Sequence, residues 1–102
     1  MKRIIDGKIY DTRTATCIAE ACSHVGKSDF GWWEEELYVT PRGRFFVHGE
    51  GHAMSRWAKP CGNMRGPGSG IEALTEAEAV AWCERHNIDP DDVSEYLKLE
   101  DA

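Results

Sequence analysis

Residues 31–49 carry the pattern that most narrows what this chain can fold into. The turn signature Thr40-Pro41-Arg42-Gly43-Arg44 lies between two runs rich in aromatic and β-branched residues. Pro41 presets φ for a type I turn, and Gly43 supplies the left-handed residue of a G1 bulge. Pairing Thr40 with Arg44 then fixes the register. Val39 faces Phe45 and Leu37 faces Val47 on one side; Tyr38 faces Phe46 and Glu36 faces His48 on the other. The first side is wholly apolar and is expected to be core. The second is mixed and is expected to be partly exposed, with Glu36–His48 a cross-strand charge pair.

The rest of the chain is read around this hairpin. Asp6-Gly7 inside Lys2–Tyr10 is the preferred two-residue type I′ turn, and sets Ile4 opposite Ile9 and Arg3 opposite Tyr10. Ile4 and Ile9 are assigned to the core. Residues 11–22 read as a short helix, capped by Asp11 or Thr12, because Cys17, Ile18, Ala21 and Cys22 fall on one stripe at helical spacing. Residues 49–70, with six glycines and two prolines, read as a long irregular stretch holding one helical turn that anchors Trp57. Residues 71–74 add a short strand. Thr75 and Glu78 form a capping box for a helix reaching about Asn87, which can end it in a left-handed conformation. Asp89 and Pro90 start a second helix. The expected fold is α+β: a twisted antiparallel β-sheet built from two hairpins and packed against one or two C-terminal helices.

The length of 102 residues suits a single domain spanning 1–102. At 41% hydrophobic, with four Trp, three Tyr and three Phe, the chain is too apolar for disorder and can fill a modest core. No apolar run of about 18 residues is present, which argues against a spanning helix. No signal peptide is visible, so a cytoplasmic location is expected.

Charge is distributed unevenly. Residues 1–71 hold ten Lys/Arg and eight acids, a balance of +2. Residues 72–102 hold ten acids against Arg85 and Lys98, a balance of −8, so the net −6 resides in the last third. Such an end is either a solvated helix face or a surface that presents carboxylates to a basic partner. The acids that would carry the second role are Glu84, Asp89, Asp91, Asp92 and Glu95.

Four cysteines and four histidines raise zinc. No C-x-x-C pair exists. The candidate ligand set is Cys17, Cys22, His24 and Cys61, provided the first helix ends before Cys22; in a continuous helix Cys17 and Cys22 point about 140° apart. The competing reading makes Cys17, Cys22 and Cys83 small buried apolar residues. Disulfides are not expected in a reducing compartment. Catalysis has little support. Cys61 with His52 lacks a third orienting group, and 66–70 is no phosphate loop. Glu34-Glu35-Glu36 is expected to decorate an exposed face rather than act as an acid/base pair. Arg42, Arg44, Arg56, Lys59 and Arg65, with Phe46 and Trp57, give a partial nucleic-acid signal against an overall negative charge.

Three stretches, IIDGKIYDTRTA, DFGWWEEELYVTPRGRFFVHGEGHAMSRWA and IEALTEAEAVAWCERH, resemble a family of small uncharacterised proteins of bacterial phages and mobile elements, common in Firmicutes. The likeness covers most of the chain. His52 stands where many of those relatives have Gly, and Cys22 and Cys61 are individual to this chain. The resemblance implies an accessory protein that inhibits host defence by stoichiometric binding, as anti-CRISPR proteins do. Its acidic end would occupy a basic groove of a CRISPR effector nuclease and block nucleic-acid loading. The alternative is a small zinc-stapled or basic-loop nucleic-acid-binding accessory protein, and a third reading is a structural part of a virion or conjugation apparatus.

Overall fold

The computed structural model describes residues 1–102. In chain order the strands are β1 (Lys2–Ile5), β2 (Lys8–Asp11), β3 (Thr16–Cys22), β4 (Trp33–Val39), β5 (Phe45–Gly51), β6 (Lys59–Cys61), β7 (Met64–Gly66) and β8 (Gly68–Leu74). Two helices follow, α1 (Glu76–Arg85) and α2 (Pro90–Val93).

The central turn forms as its chemistry dictates. Gly43 takes φ 81°, and the Arg44 N–H donates to the Thr40 hydroxyl at 3.1 Å. β4 and β5 pair with Val39 opposite Phe45, Leu37 opposite Val47, Tyr38 opposite Phe46 and Glu36 opposite His48, which is the expected register. β3 adds to β4 and β8 to β5, giving an antiparallel sheet in the order β3-β4-β5-β8. The fold is therefore α+β, with the C-terminal helical layer on one face of this sheet. Leu37, Val39, Phe45 and Val47 meet Ala79, Trp82 and Cys83 of α1, and Val93 and Leu97 close the layer. Burying each large apolar side chain contributes about 1.5–3 kcal/mol, so this face supplies most of the hydrophobic stabilisation. No helix is long and apolar enough to cross a membrane.

The helix expected over 11–22 is a strand from Thr16 onward. The stripe residues divide between the two faces, Ile18 and Ala21 on the core side and Cys17 and Cys22 on the open side, and a β-bulge breaks the alternation. The register with β4 shifts between Cys17 and Ala19, and Ile18 is the extra residue, buried in the core. The shift lets Cys17 and Glu20 share the opposite, open face although they are three residues apart. The stretch 49–70 is also more regular than expected. β5 continues to Gly51, β6 and β7 make a small hairpin, and β8 begins at Gly68. Trp57 is anchored as expected, but by turns rather than by a helical turn.

The first hairpin has the expected register, with Asp6 at φ 53° and Gly7 at φ 75° in its turn. Its inward face is the other one. Ile4 and Ile9 are 76% and 65% exposed, while Tyr10 is buried. Tyr10 packs edge-on to Phe46 at 5.5 Å, and Tyr38 stacks on the same Phe46 at 5.0 Å. The geometric preference of aromatic rings for one another, with their large area, outweighs the two isoleucines. Phe46 is thereby fully buried on the face expected to be partly exposed.

The C-terminal signals hold. Thr75 and Glu78 form the reciprocal capping box, at 3.1 Å and 2.8 Å. Asp89 caps α2 ahead of Pro90. Asn87 is left-handed at φ 53°, two residues beyond the last helical residue.

Candidate functional site

Glu34, Glu35 and Glu36 are consecutive on β4, so their side chains alternate between faces. Glu35 points with Leu37 and Val39 toward the helices. It is 5% exposed, which corrects the expectation that all three decorate an exposed face. Across the ladder from Glu35 lies Gly49, followed by Gly70 on β8. These two residues leave the sheet bare, and the Trp57 indole lies on them. A Cβ at Gly49 would fall inside the Trp57 ring.

The Glu35 carboxylate gathers three donors. Trp82 Nε1–H donates to Oε1 at 2.8 Å. Trp57 Nε1–H and Arg56 Nε–H donate to Oε2 at 2.9 Å and 2.8 Å. Arg56 stacks over the Trp57 ring at 4.3 Å and extends a second donor to Glu72 at 3.0 Å. Burial by itself would push the Glu35 carboxyl up. The hydrogen bonds from Arg56, Trp82 and Trp57 outweigh it and hold the carboxyl below the ordinary glutamate range. Burial acts against the Arg56 charge as well, and Glu35 and Glu72 reverse it. His86 Nε2 stands 3.8 Å from Glu35 Oε1. Burial, aided by the Arg85 and Arg56 charges, keeps that imidazole below its usual range despite the carboxylate, so at neutral pH it is uncharged and the contact is no ion pair. No buried side-chain nitrogen or oxygen is left without a partner. A cavity of about 570 Å³ opens beside this network, lined among others by Trp33, Ser55, Arg56, Glu72, Arg85 and His86.

The open face of the sheet is different. Glu20 lies opposite Glu36, which lies opposite His48; Cys22 lies opposite Glu34, which lies opposite Glu50. The expected Glu36–His48 pair is present, with Nδ1 and Oε1 3.1 Å apart. Like charges directly opposite on a sheet repel. Glu34 answers by sharing a hydrogen bond with Glu50, which, with some burial, raises its carboxyl above the ordinary range. Burial and the Glu36 charge push the Tyr38 hydroxyl up to about 12.

The ligand set Cys17, Cys22, His24 and Cys61 is spread out. Cys17 and Cys22 sit near opposite ends of β3, roughly 15 Å apart at strand rise, so an ion held by one is not held by the other. His24 follows β3, and Cys61 is exposed on β6. Cys17 instead lies with Glu20 and Glu36, their donor atoms within 4.8 Å of one another. Burial and these two carboxylates push the Cys17 thiol up. A cation at this spot would meet one thiol and two carboxylates. Of the four cysteines only Cys83 is buried, which limits the small-apolar reading to that residue.

Glu84, Asp89, Asp91, Asp92 and Glu95 are all exposed at the helical end, and none takes part in an ion pair. Of the basic residues, Arg56 is committed to Glu35 and Glu72, and Arg65 reaches the Ala58 carbonyl at 3.3 Å. Arg42 and Arg44 line a groove of about 450 Å³ with Lys8 and Tyr10, between the first hairpin and the central turn.

The Glu35 network is the part that local sequence reasoning misses, since its donors come from residues 21 to 47 positions away. One signal was available: alternation from Leu37 and Val39 already turns Glu35 to the core side. Compared with protein-family models, curated proteins and solved structures, the chain finds no match.

Proposed function

We propose that this chain is a non-enzymatic binding protein that presents its acidic helical end to a basic partner. The observation that carries the reading is that Glu84, Asp89, Asp91, Asp92 and Glu95 are exposed together and lack counter-ions of their own. Unpaired carboxylates in one region raise the encounter rate with a positive groove and disfavour acidic partners. The resemblance to phage and mobile-element proteins supports a host defence protein as the partner, most directly a CRISPR effector nuclease in the cytoplasm. The bound protein would occupy the groove that loads nucleic acid.

The Glu35 carboxylate is compatible with this role. Its lone pairs are engaged by three donors and its basicity is low, so it serves as a structural anchor rather than a proton acceptor. The test is inhibition of DNA cleavage by CRISPR effectors, with the wild-type chain against Asp91→Lys/Asp92→Lys/Glu95→Lys. Stoichiometric inhibition that weakens at least tenfold in the triple variant, and falls with added salt, supports the reading. Unchanged inhibition in the triple variant overturns the acidic-surface mechanism.

A second reading has one observation of its own. Lys8, Arg42 and Arg44 line one groove, a cationic surface suited to the phosphates of a nucleic-acid strand. A salt-sensitive DNA mobility shift that disappears in Arg42→Ala/Arg44→Ala would favour it over the inhibitor.

A further inference from the structure

The cavity beside Glu35 has a feature that the anchor role leaves unused. Arg85, at the end of α1, lines it with a guanidinium that has no carboxylate within ion-pair distance. The other charges there are already matched, since Arg56 bonds both Glu35 and Glu72. One cation is therefore left to face the cavity alone. Beside it, the Trp33 ring lies 5.4 Å from the His86 ring and is tilted 54° to it, so Trp33 is the flat apolar surface of the cavity. At the rim, Met54 is 78% exposed and its N–H donates to the Phe30 carbonyl; Phe30 is 69% exposed. Large apolar side chains left in water beside a cavity are common where an apolar body is received.

We propose that this cavity binds a small organic anion with a planar ring, its carboxylate or phosphate on Arg85 and its ring against Trp33. The volume of about 570 Å³ lies within the range of small-molecule sites. Arg is the side chain suited to both anions, because its planar fork matches two of their oxygens at once. A cationic ligand is disfavoured, since Glu35 and Glu72 are taken and Arg85 would repel it. One wall is also set in advance. Glu35 and Glu72 hold the Arg56 guanidinium between them, so the ligand does not have to order it. This site is independent of the acidic helical end, and either can fail without the other.

The experiment titrates the full chain, labelled with ¹⁵N, with benzoate, adenosine 5′-monophosphate, neutral benzamide and inorganic phosphate. Backbone and indole N–H signals are followed in wild type, Arg85→Ala and Arg85→Lys. Saturable shifts at Trp33 and His86 with benzoate or with the nucleotide, at least tenfold weaker in Arg85→Ala and partly restored in Arg85→Lys, are expected. Benzoate alone would mark a ring carboxylate as the ligand chemistry, and the nucleotide alone a ring phosphate. Arg85 is exposed, so its variants should keep the wild-type signal dispersion. No saturable shift with either ring anion up to about 10 mM overturns the site. So does undiminished binding in Arg85→Ala, or equal binding of benzamide or inorganic phosphate.

Discussion

The two faces of the four-stranded sheet treat neighbouring glutamates in opposite ways. Glu35, on the helix-covered face, is buried among two indole N–H groups and a guanidinium and is held below the ordinary carboxyl range. Glu34, one residue earlier on the open face, is set against Glu50 and pushed above it. Burial alone would predict the reverse order, because removal from water disfavours the charged form. The difference teaches that hydrogen-bond donors decide the charge state here, and that one face uses a carboxylate for cohesion while the other tolerates repulsion.

The comparison breaks most directly at Glu35. Glu35→Ala leaves the Arg56 charge and the Trp57 and Trp82 donors without their common acceptor. The Trp82 N–H is then buried without an acceptor, at a cost of about 1–3 kcal/mol for that group alone, while the half-exposed Arg56 keeps Glu72; the loss is read as a shift in the urea unfolding midpoint. A loss below about 1 kcal/mol would mean that the carboxylate is incidental. Gly49→Ala attacks the same network from below. Its methyl group would enter the Trp57 ring and displace the indole from Glu35, at a cost of about 1–3 kcal/mol by the same measurement.

The open face predicts a change of opposite sign. Glu50→Gln removes the charge facing Glu34 and should stabilise the chain by about 0.2–1 kcal/mol at neutral pH. The pH dependence separates the two faces further. The depressed Glu35 contributes stability that is present above the unfolded carboxyl value and lost as pH falls through its folded one. The raised Glu34 does the opposite: its repulsion is relieved as pH falls through its elevated value, so the advantage of Glu50→Gln should fade on acidification. The smallest effect belongs to the first hairpin. Ile4→Thr and Ile9→Thr alter only solvent-exposed positions and should each change stability by less than about 0.5 kcal/mol.

Much of the fold was legible where turn chemistry fixes register. Pro41 and Gly43 set the central hairpin, Asp6 and Gly7 the first, and Thr75 with Glu78 the start of α1. The Glu36–His48 pair followed from that register without further information. What stayed hidden depended on contacts distant in sequence. The bulge at Ile18 breaks the period-two alternation of β3, so the segment lacks the signature by which a strand is read. Choosing Tyr10 over Ile4 and Ile9 as the buried residue of the first hairpin requires Phe46, which lies on another element. The carboxylate rows of the open face were half visible. The pairing of β4 with β5 sets Glu34 against Glu50, but placing Glu20 beside Glu36 needs β3 as a strand. The exposed acids of the helical end were readable from charge alone, because nothing basic within residues 72–102 could neutralise them beyond Arg85 and Lys98.

The most direct measurement is a carboxyl-carbon NMR titration of Glu34 and Glu35 in the same sample. The account predicts that Glu35 titrates below the ordinary value of 4.5 and Glu34 above it, with the Glu35 inflection moving upward in Arg56→Gln. A Glu35 inflection at or above that of Glu34 would contradict it, and would mean that burial rather than its three donors governs the carboxylate at the centre of the fold.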